Sequence, residues 1–335
     1  MVTSILPPID CPSRSGWAAV ASLIATVLIL LFCTSCAGYR GVDQLQGEVA
    51  TYRVKPETSA IRRFAPLFLV EDNQLSYNRP GAPYLFRTPG GGISASVDPQ
   101  RPTIYFQETE FLGAHGTYRN LIYRLHFREV PSGHLTSGRN AGLVIVVTLD
   151  DQGRPLLYTT VHTCGCYLAI IPTSHLPERA LPSGWNQKQQ KVYGEVLPGL
   201  LRFPAEDKSV RLLITLRSGS HRIMDLRLIT EQDLQAAALT LLPVSTLRHL
   251  PLNGETASFF EEEGARRGYV RDSRKIWERL LISWWALDAR VGEDKDLGPS
   301  AETGTVFYTS LKPWAREASD LWRFQTFLTY WGWNL

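Results

Sequence analysis

The segment His162-Thr163-Cys164-Gly165-Cys166 holds the residue types in this chain that most directly do chemistry. Side chains alternate across a strand, so if the strand before it continues, His162, Cys164 and Cys166 share one face. Three soft or borderline donors on one face suit Cu(I) or Zn²⁺, provided Gly165 bends the backbone enough to bring them to one ion. No fourth ligand is local, and His175, His126 and His134 are the histidines on hand to supply one. The same spacing suits a short-loop disulfide or redox pair. A turn at Gly165 would bring the two Cα atoms within about 6.8 Å, and His162 would favour the thiolate. A nucleophilic thiol with a His base is a third reading, with no Gly-rich elbow behind it. Two small apolar residues packed in a strand is the fourth, since cysteine is among the most buried types.

Other spacings carry less. Glu108 and Glu110 share a strand face, as a carboxylate pair for acid–base work must, yet the same spacing describes a solvated strand. Arg124, His126 and Arg128 form a basic stripe that reads as an exposed face, one able to meet an anionic glycan or lipid head group. Gly90-Gly91-Gly92 lacks the Lys-Ser/Thr of a phosphate-cradling loop and reads as a flexible loop. Seven of the nine tryptophans lie between Trp277 and Trp333. Of these, Trp314, Trp322, Trp331 and Trp333 spread over more than one face of the expected last helix and are the interaction candidates. Aromatic side chains rimming an apolar surface suit a partner groove or a membrane interface. The bulk of the segment is expected to pack on the β-rich part.

The elements that must position these residues are strands first and helices afterwards. Leu121, Tyr123, Leu125 and Phe127 alternate with polar residues, the spacing of a half-buried strand. Leu143 to Leu149 is a continuous apolar, β-branched run, so a central strand. Asp150 to Arg154 supplies a turn, and Leu156 to Val161 returns as the second arm of a hairpin. Val210 to Leu216 and Arg222 to Leu228 read as another strand pair. Thr230 with Asp233 resembles a capping box opening a helix through Leu234, Ala237, Ala238 and Leu241, ended by Pro243. A second helix carries Trp277, Leu280, Leu281, Trp284, Leu287 and Val291 at core spacing, and a third starts near Pro313. Strands followed by helices predict an α+β fold: a β-rich core over 61–230 and a helical C-terminal region over 231–335.

Composition bounds the function class. With 44% apolar and 20% charged residues the body is an ordinary globular chain. A net charge of +3 is too small to suggest nucleic acid as a partner. Trp17 to Phe32 is an uninterrupted apolar run preceded by Arg14 and followed by Cys33-Thr34-Ser35-Cys36-Ala37-Gly38. This leader resembles that of bacterial lipoproteins, with Thr34 and Ser35 as the small residues before the lipidated Cys36, although Cys33 stands where Leu is usual. The resemblance implies a signal peptide over 1–35, a tether over 36–60 and a lipid on Cys36 as the link to a membrane. Ala37, not Asp, follows Cys36, which favours the outer membrane. The alternatives are an uncleaved membrane anchor or plain secretion. No family resemblance covers the body. The expectation is an exported binding or assembly protein with an envelope protein partner. The alternative is a periplasm-facing thiol-redox or metal protein centred on His162, Cys164 and Cys166.

Overall fold

The structure is a computed structural model that describes residues 44–204, 210–230 and 235–335. Cys36, the apolar run before it and Asp233 lie outside the described residues. The described residues belong to one compact unit. Among the described residues no helix is long and apolar enough to cross a membrane.

One ten-stranded mixed sheet dominates. In chain order its strands are β1 (Ala50–Val54), β2 (Leu67–Val70), β3 (Thr103–Gly113), β4 (Gly116–His126), β5 (Gly142–Leu149), β6 (Pro155–His162), β7 (Ala169–Pro172), β8 (Val210–Leu216), β9 (Ile223–Thr230) and β10 (Ala237–Pro243). Across the sheet they run β7-β6-β5-β4-β3-β10-β1-β2-β8-β9. The pairs β3–β10, β10–β1 and β2–β8 are parallel. Ile171 on one edge strand and Leu226 on the other belong to the same buried cluster as Phe68, Tyr123 and Tyr158, so the sheet curls one face around a shared core. The opposite face of β4, β5 and β6 is covered by the C-terminal segment through Phe307, Leu321, Phe327 and Trp333. A third cluster joins Leu85, Tyr105, Leu247 and Phe259.

The α+β expectation is overturned. The described helices are four and short: α1 (Ala60–Arg63), α2 (Ile276–Ala286), α3 (Ser300–Thr303) and α4 (Phe324–Tyr330). The fold is β-rich. Part of the segment expected as a helix before Pro243 is β10, a central strand. Ladders to β1 on one side and β3 on the other satisfy its backbone and override the helical spacing of its side chains. Pro313 opens only a single 3₁₀ turn, and the last helix begins at Phe324.

Two faces also differ from expectation. In β4 the polar positions Asn120, Arg124 and His126 are as buried as the apolar ones, because later chain covers that side too. Only Arg128 of the expected basic stripe is exposed. In α2 the apolar side faces outward: Trp277, Leu280, Leu281, Trp284 and Trp285 are all more than half exposed, while Glu278 is buried.

A buried ion pair links the sheet to the hairpin formed by Gln189–Val192 and Glu195–Pro198. Arg217 donates from Nε and Nη2 to the two carboxylate oxygens of Glu195, each at 2.7 Å. Glu195 is 3% exposed. Replacing Arg217 with Ala leaves that carboxylate enclosed without its fork of donors, although Arg222 lies 3.2 Å away. Urea unfolding of R217A should show a loss of about 3–5 kcal/mol; a loss within error of zero would show that the pair contributes nothing net.

Candidate functional site

Strand β6 ends at His162, and the chain then turns back on itself. The Gly165 amide donates to the His162 carbonyl (2.7 Å) and the His162 amide to the Cys166 carbonyl (2.9 Å). Gly165 has φ +91°, and a Cβ there would overlap the Tyr308 carbonyl, so only glycine fits. The turn sets the Cα atoms of Cys164 and Cys166 5.6 Å apart, and the two are joined by a disulfide. His162 lies beside them: one donor atom from each of the three side chains falls within 4.8 Å of the others. His126, His134 and His175 are not part of this group among the described residues.

The imidazole of His162 is fixed by its surroundings. Its Nε2 lies 3.1 Å from the His221 carbonyl. A ring nitrogen facing a carbonyl must carry the proton, which leaves Nδ1 with the lone pair. Burial, reinforced by the Lys275 ammonium, holds the His162 pKa well below the usual imidazole range, so the ring is neutral. His221, stacked on Phe127, is pushed down to about 3 by burial.

The segment Glu293-Asp294-Lys295-Asp296 clamps the turn from below, and all four residues are at most 3% exposed. Lys295 Nζ donates to the Cys164 carbonyl at 2.8 Å, and its amide donates to the Thr163 carbonyl at 2.9 Å. The Thr163 hydroxyl donates to Asp294, whose other oxygen pairs with Lys275 at 3.2 Å. Burial alone would discharge Lys275, but Asp294 overrides it and its pKa is raised. The Lys295 ammonium also sits 4.3 Å from the centre of the Tyr308 ring. The expected basic stripe ends here too, since Arg124 Nη2 donates to the Lys295 carbonyl at 2.9 Å and His126 accepts from Arg124 Nε.

Beyond the disulfide turn the surface opens into a cleft of about 350 Å³. Gly165 lines it together with Trp185, Tyr193, Trp331 and Trp333. An aromatic relay connects it to the buried histidine: His162 meets Tyr167 edge to face at 4.7 Å, and Tyr167 meets Tyr193 at 4.8 Å. The indole N–H groups of Trp185 and Trp331 donate to the Gly199 carbonyl and the Thr309 hydroxyl. With those donors engaged, their rings offer the cleft mainly apolar surface.

Of the four interaction candidates, Trp331 and Trp333 line this cleft, Trp322 is half-buried against the sheet cover, and Trp314 stands 82% exposed elsewhere. Glu108 and Glu110 are exposed on β3. Sequence reasoning missed Trp185 and Tyr193, which no periodic pattern marks. It also missed Asp294 and Lys295, because a mixed-sign charge run between Gly292 and Gly298 has the composition of a solvated turn, and Lys275, which stands in a similar charged stretch from Arg271 to Lys275. No family model, curated protein or solved structure matches the chain.

Two measurements follow. G165A combines left-handed backbone with steric overlap, so chemical denaturation should report a loss of about 2–4 kcal/mol; an unchanged midpoint would refute the turn as described. Lys295 is pushed down to about 8 by burial. Above that pH the folded chain has released a proton that the unfolded chain keeps until its ordinary lysine pKa, so this group makes stability rise with pH. Below pH 8 both states are protonated and the contribution is flat. Between pH 8 and 10 the wild type should gain about 2 kcal/mol on a K295Q variant, and parallel pH profiles would exclude a depressed Lys295.

Proposed function

We propose that this protein is a tethered binding protein of the cell envelope, a lipoprotein held to the outer membrane through Cys36, with the aromatic cleft beside the Cys164–Cys166 turn as its binding site. The observation that carries the reading is the convergence of four aromatic side chains from separate parts of the chain on one cleft. Ligand sites are typically concave and mostly apolar, with few polar groups. Here the walls are rigid. Trp185 packs edge to face on Trp333 at 4.8 Å, and the disulfide fixes the turn that carries Gly165. Such a site takes a ligand with flat apolar faces, and a disulfide persists in the compartment that the export reading requires.

A second reading is favoured by one observation, the grouping of His162 with both sulfurs. In the reduced chain the three residues supply donors for Zn²⁺ or Cu(I), a solvent molecule completing the zinc shell. The closed disulfide removes two of those donors, so metal binding and the oxidised state exclude each other. In this reading Cys166, the half-buried partner, is the sulfur an incoming thiolate meets first.

The test uses the full chain in its native envelope. A photo-reactive phenylalanine analogue placed at Tyr193, on the cleft rim, should yield a discrete adduct. One at Tyr84, 40% exposed on another hairpin, should not. The adduct should vanish with W331A, and C36A should abolish fatty-acid labelling. Equal adducts at both positions, or none, sink the cleft reading; labelling that survives C36A sinks the anchor.

A further inference from the structure

Helix α2 has the polarity of a soluble helix turned inside out. Its inward side carries Glu278, 6% exposed, opposite Lys275, and Gly292 lets the chain pass against that carboxylate where a Cβ would overlap it. Its outward side carries Ile276 at 66% exposure, Trp277 at 53%, Leu280 at 62%, Leu281 at 56%, Trp284 at 72% and Trp285 at 54%. Leu287, 71% exposed, follows the helix in left-handed backbone. The Arg316 guanidinium donates to the Ala286 carbonyl at the helix end, which places Trp314, 82% exposed, in the neighbouring turn. A contiguous apolar surface of this kind on a soluble body marks an interaction site.

We infer that α2 lies in the head-group layer of an anionic bilayer, with its tryptophan face against the acyl chains. The inference rests on the anchor half of the proposed function. Three observations select lipid over a protein groove. The first is chain length: Gln44, the first described residue, is eight positions after Cys36, at most about 28 Å of extended chain. A body on so short a leash meets the bilayer continually, and the face whose transfer is most favourable is retained there. The second is residue type. Tryptophan is enriched at the membrane interface, and the Trp284 indole N–H donates to the Leu281 carbonyl at 3.0 Å within the helix, so that donor enters an apolar layer already paired. The third is charge. Arg274 and Arg279 are the exposed ionisable residues from Arg274 to Leu287, and the acid in that stretch, Glu278, is buried. Exposed cations with no exposed acid complement anionic head groups.

The experiment reconstitutes the full chain in phosphatidylethanolamine–phosphatidylglycerol vesicles, with and without brominated acyl chains. It compares wild type with W277F/W284F/W285F, which keeps the face apolar and removes three fluorophores. The difference emission isolates these tryptophans. It should be quenched roughly twofold or more by the brominated chains, as interfacial indoles in collision with lipid are. R274E/R279E should weaken that quenching in the anionic vesicles and leave it unchanged in phosphatidylcholine. Difference emission that is unquenched, whether at the water position or blue-shifted in a self-associated species, overturns the proposal. In the blue-shifted case a second copy covers the face. Insensitivity to R274E/R279E overturns the anionic head group. Fatty-acid labelling reads the anchor alone, so failure of the anchor and failure of the helix give different results.

Discussion

Lys295 is fully enclosed, and the geometry around it organises the region where the sheet, the disulfide turn and the C-terminal segment meet. An ammonium out of water must be surrounded by acceptors. Here they are the carbonyls of Cys164 and Glu293 and the face of Tyr308. The Cys164 carbonyl is presented by the turn that closes the disulfide. Tyr308 is held by its hydroxyl, which donates to Asp288 at 2.6 Å, and its own carbonyl occupies the space a side chain at Gly165 would need. Moving any one of these groups therefore disturbs the turn, the C-terminal cover and the lysine together.

The same charge network reaches the inward side of α2. Lys275 is buried against Asp294, and Glu278, three residues on, feels its charge, although burial outweighs that attraction and raises the Glu278 pKa. With Lys275, Glu278 and Ala286 turned inward, the 3.6-residue period carries positions 277, 280 and 284 away from the body, while 281 and 285, nearer the Glu278 edge, are still more than half exposed. The orientation therefore encloses a carboxylate, whose pKa burial raises, and leaves the apolar positions in water. The six large apolar side chains on the outward side of the helix therefore contribute little burial to the fold. This separates α2 from the aromatic residues of α4, where Phe324, Phe327 and Leu328 point into the sheet in the ordinary way.

How legible this was in the sequence differs between elements for physical reasons. The hairpin of β5 and β6 could be read directly, because a β-branched run, an Asp150 side chain accepting from the Gln152 and Arg154 amides, and Gly153 at positive φ are all local signals. The β8–β9 pair was equally local. Strand β10 was not, because its place is set by two parallel partners far away in the chain, and its own spacing fits a helix as well as a strand. The pairing of Cys164 with Cys166 was one of several open readings until the turn at Gly165 fixed the geometry. The clamp of Asp294 and Lys295 was illegible, since nothing in a run of charges announces that every member is itself buried.

The C-terminal segment connects the two surfaces for which functions are proposed. Trp331 and Trp333 line the cleft, while Arg316, two residues after Trp314, donates to the Ala286 carbonyl at the end of α2. Between them Tyr330 donates to Ser310 and Trp331 to Thr309, tying α4 to the chain just after Tyr308. A ligand pressing on Trp331 thus pushes against a segment bonded to the residues around the Tyr308 ring, which is the face that carries Lys295. The Arg316 that caps α2 also stacks its guanidinium on that ring at 5.1 Å. A contiguous path of packed and hydrogen-bonded groups therefore runs from the cleft to the outward helix. It makes mechanical coupling between them possible but does not by itself create any, because coupling needs an element with two arrangements. The described contacts give the path one arrangement. What they support is a rigid body that holds the cleft and the tryptophan face in a fixed relative orientation, so seating one face on a bilayer would set the direction in which the other opens.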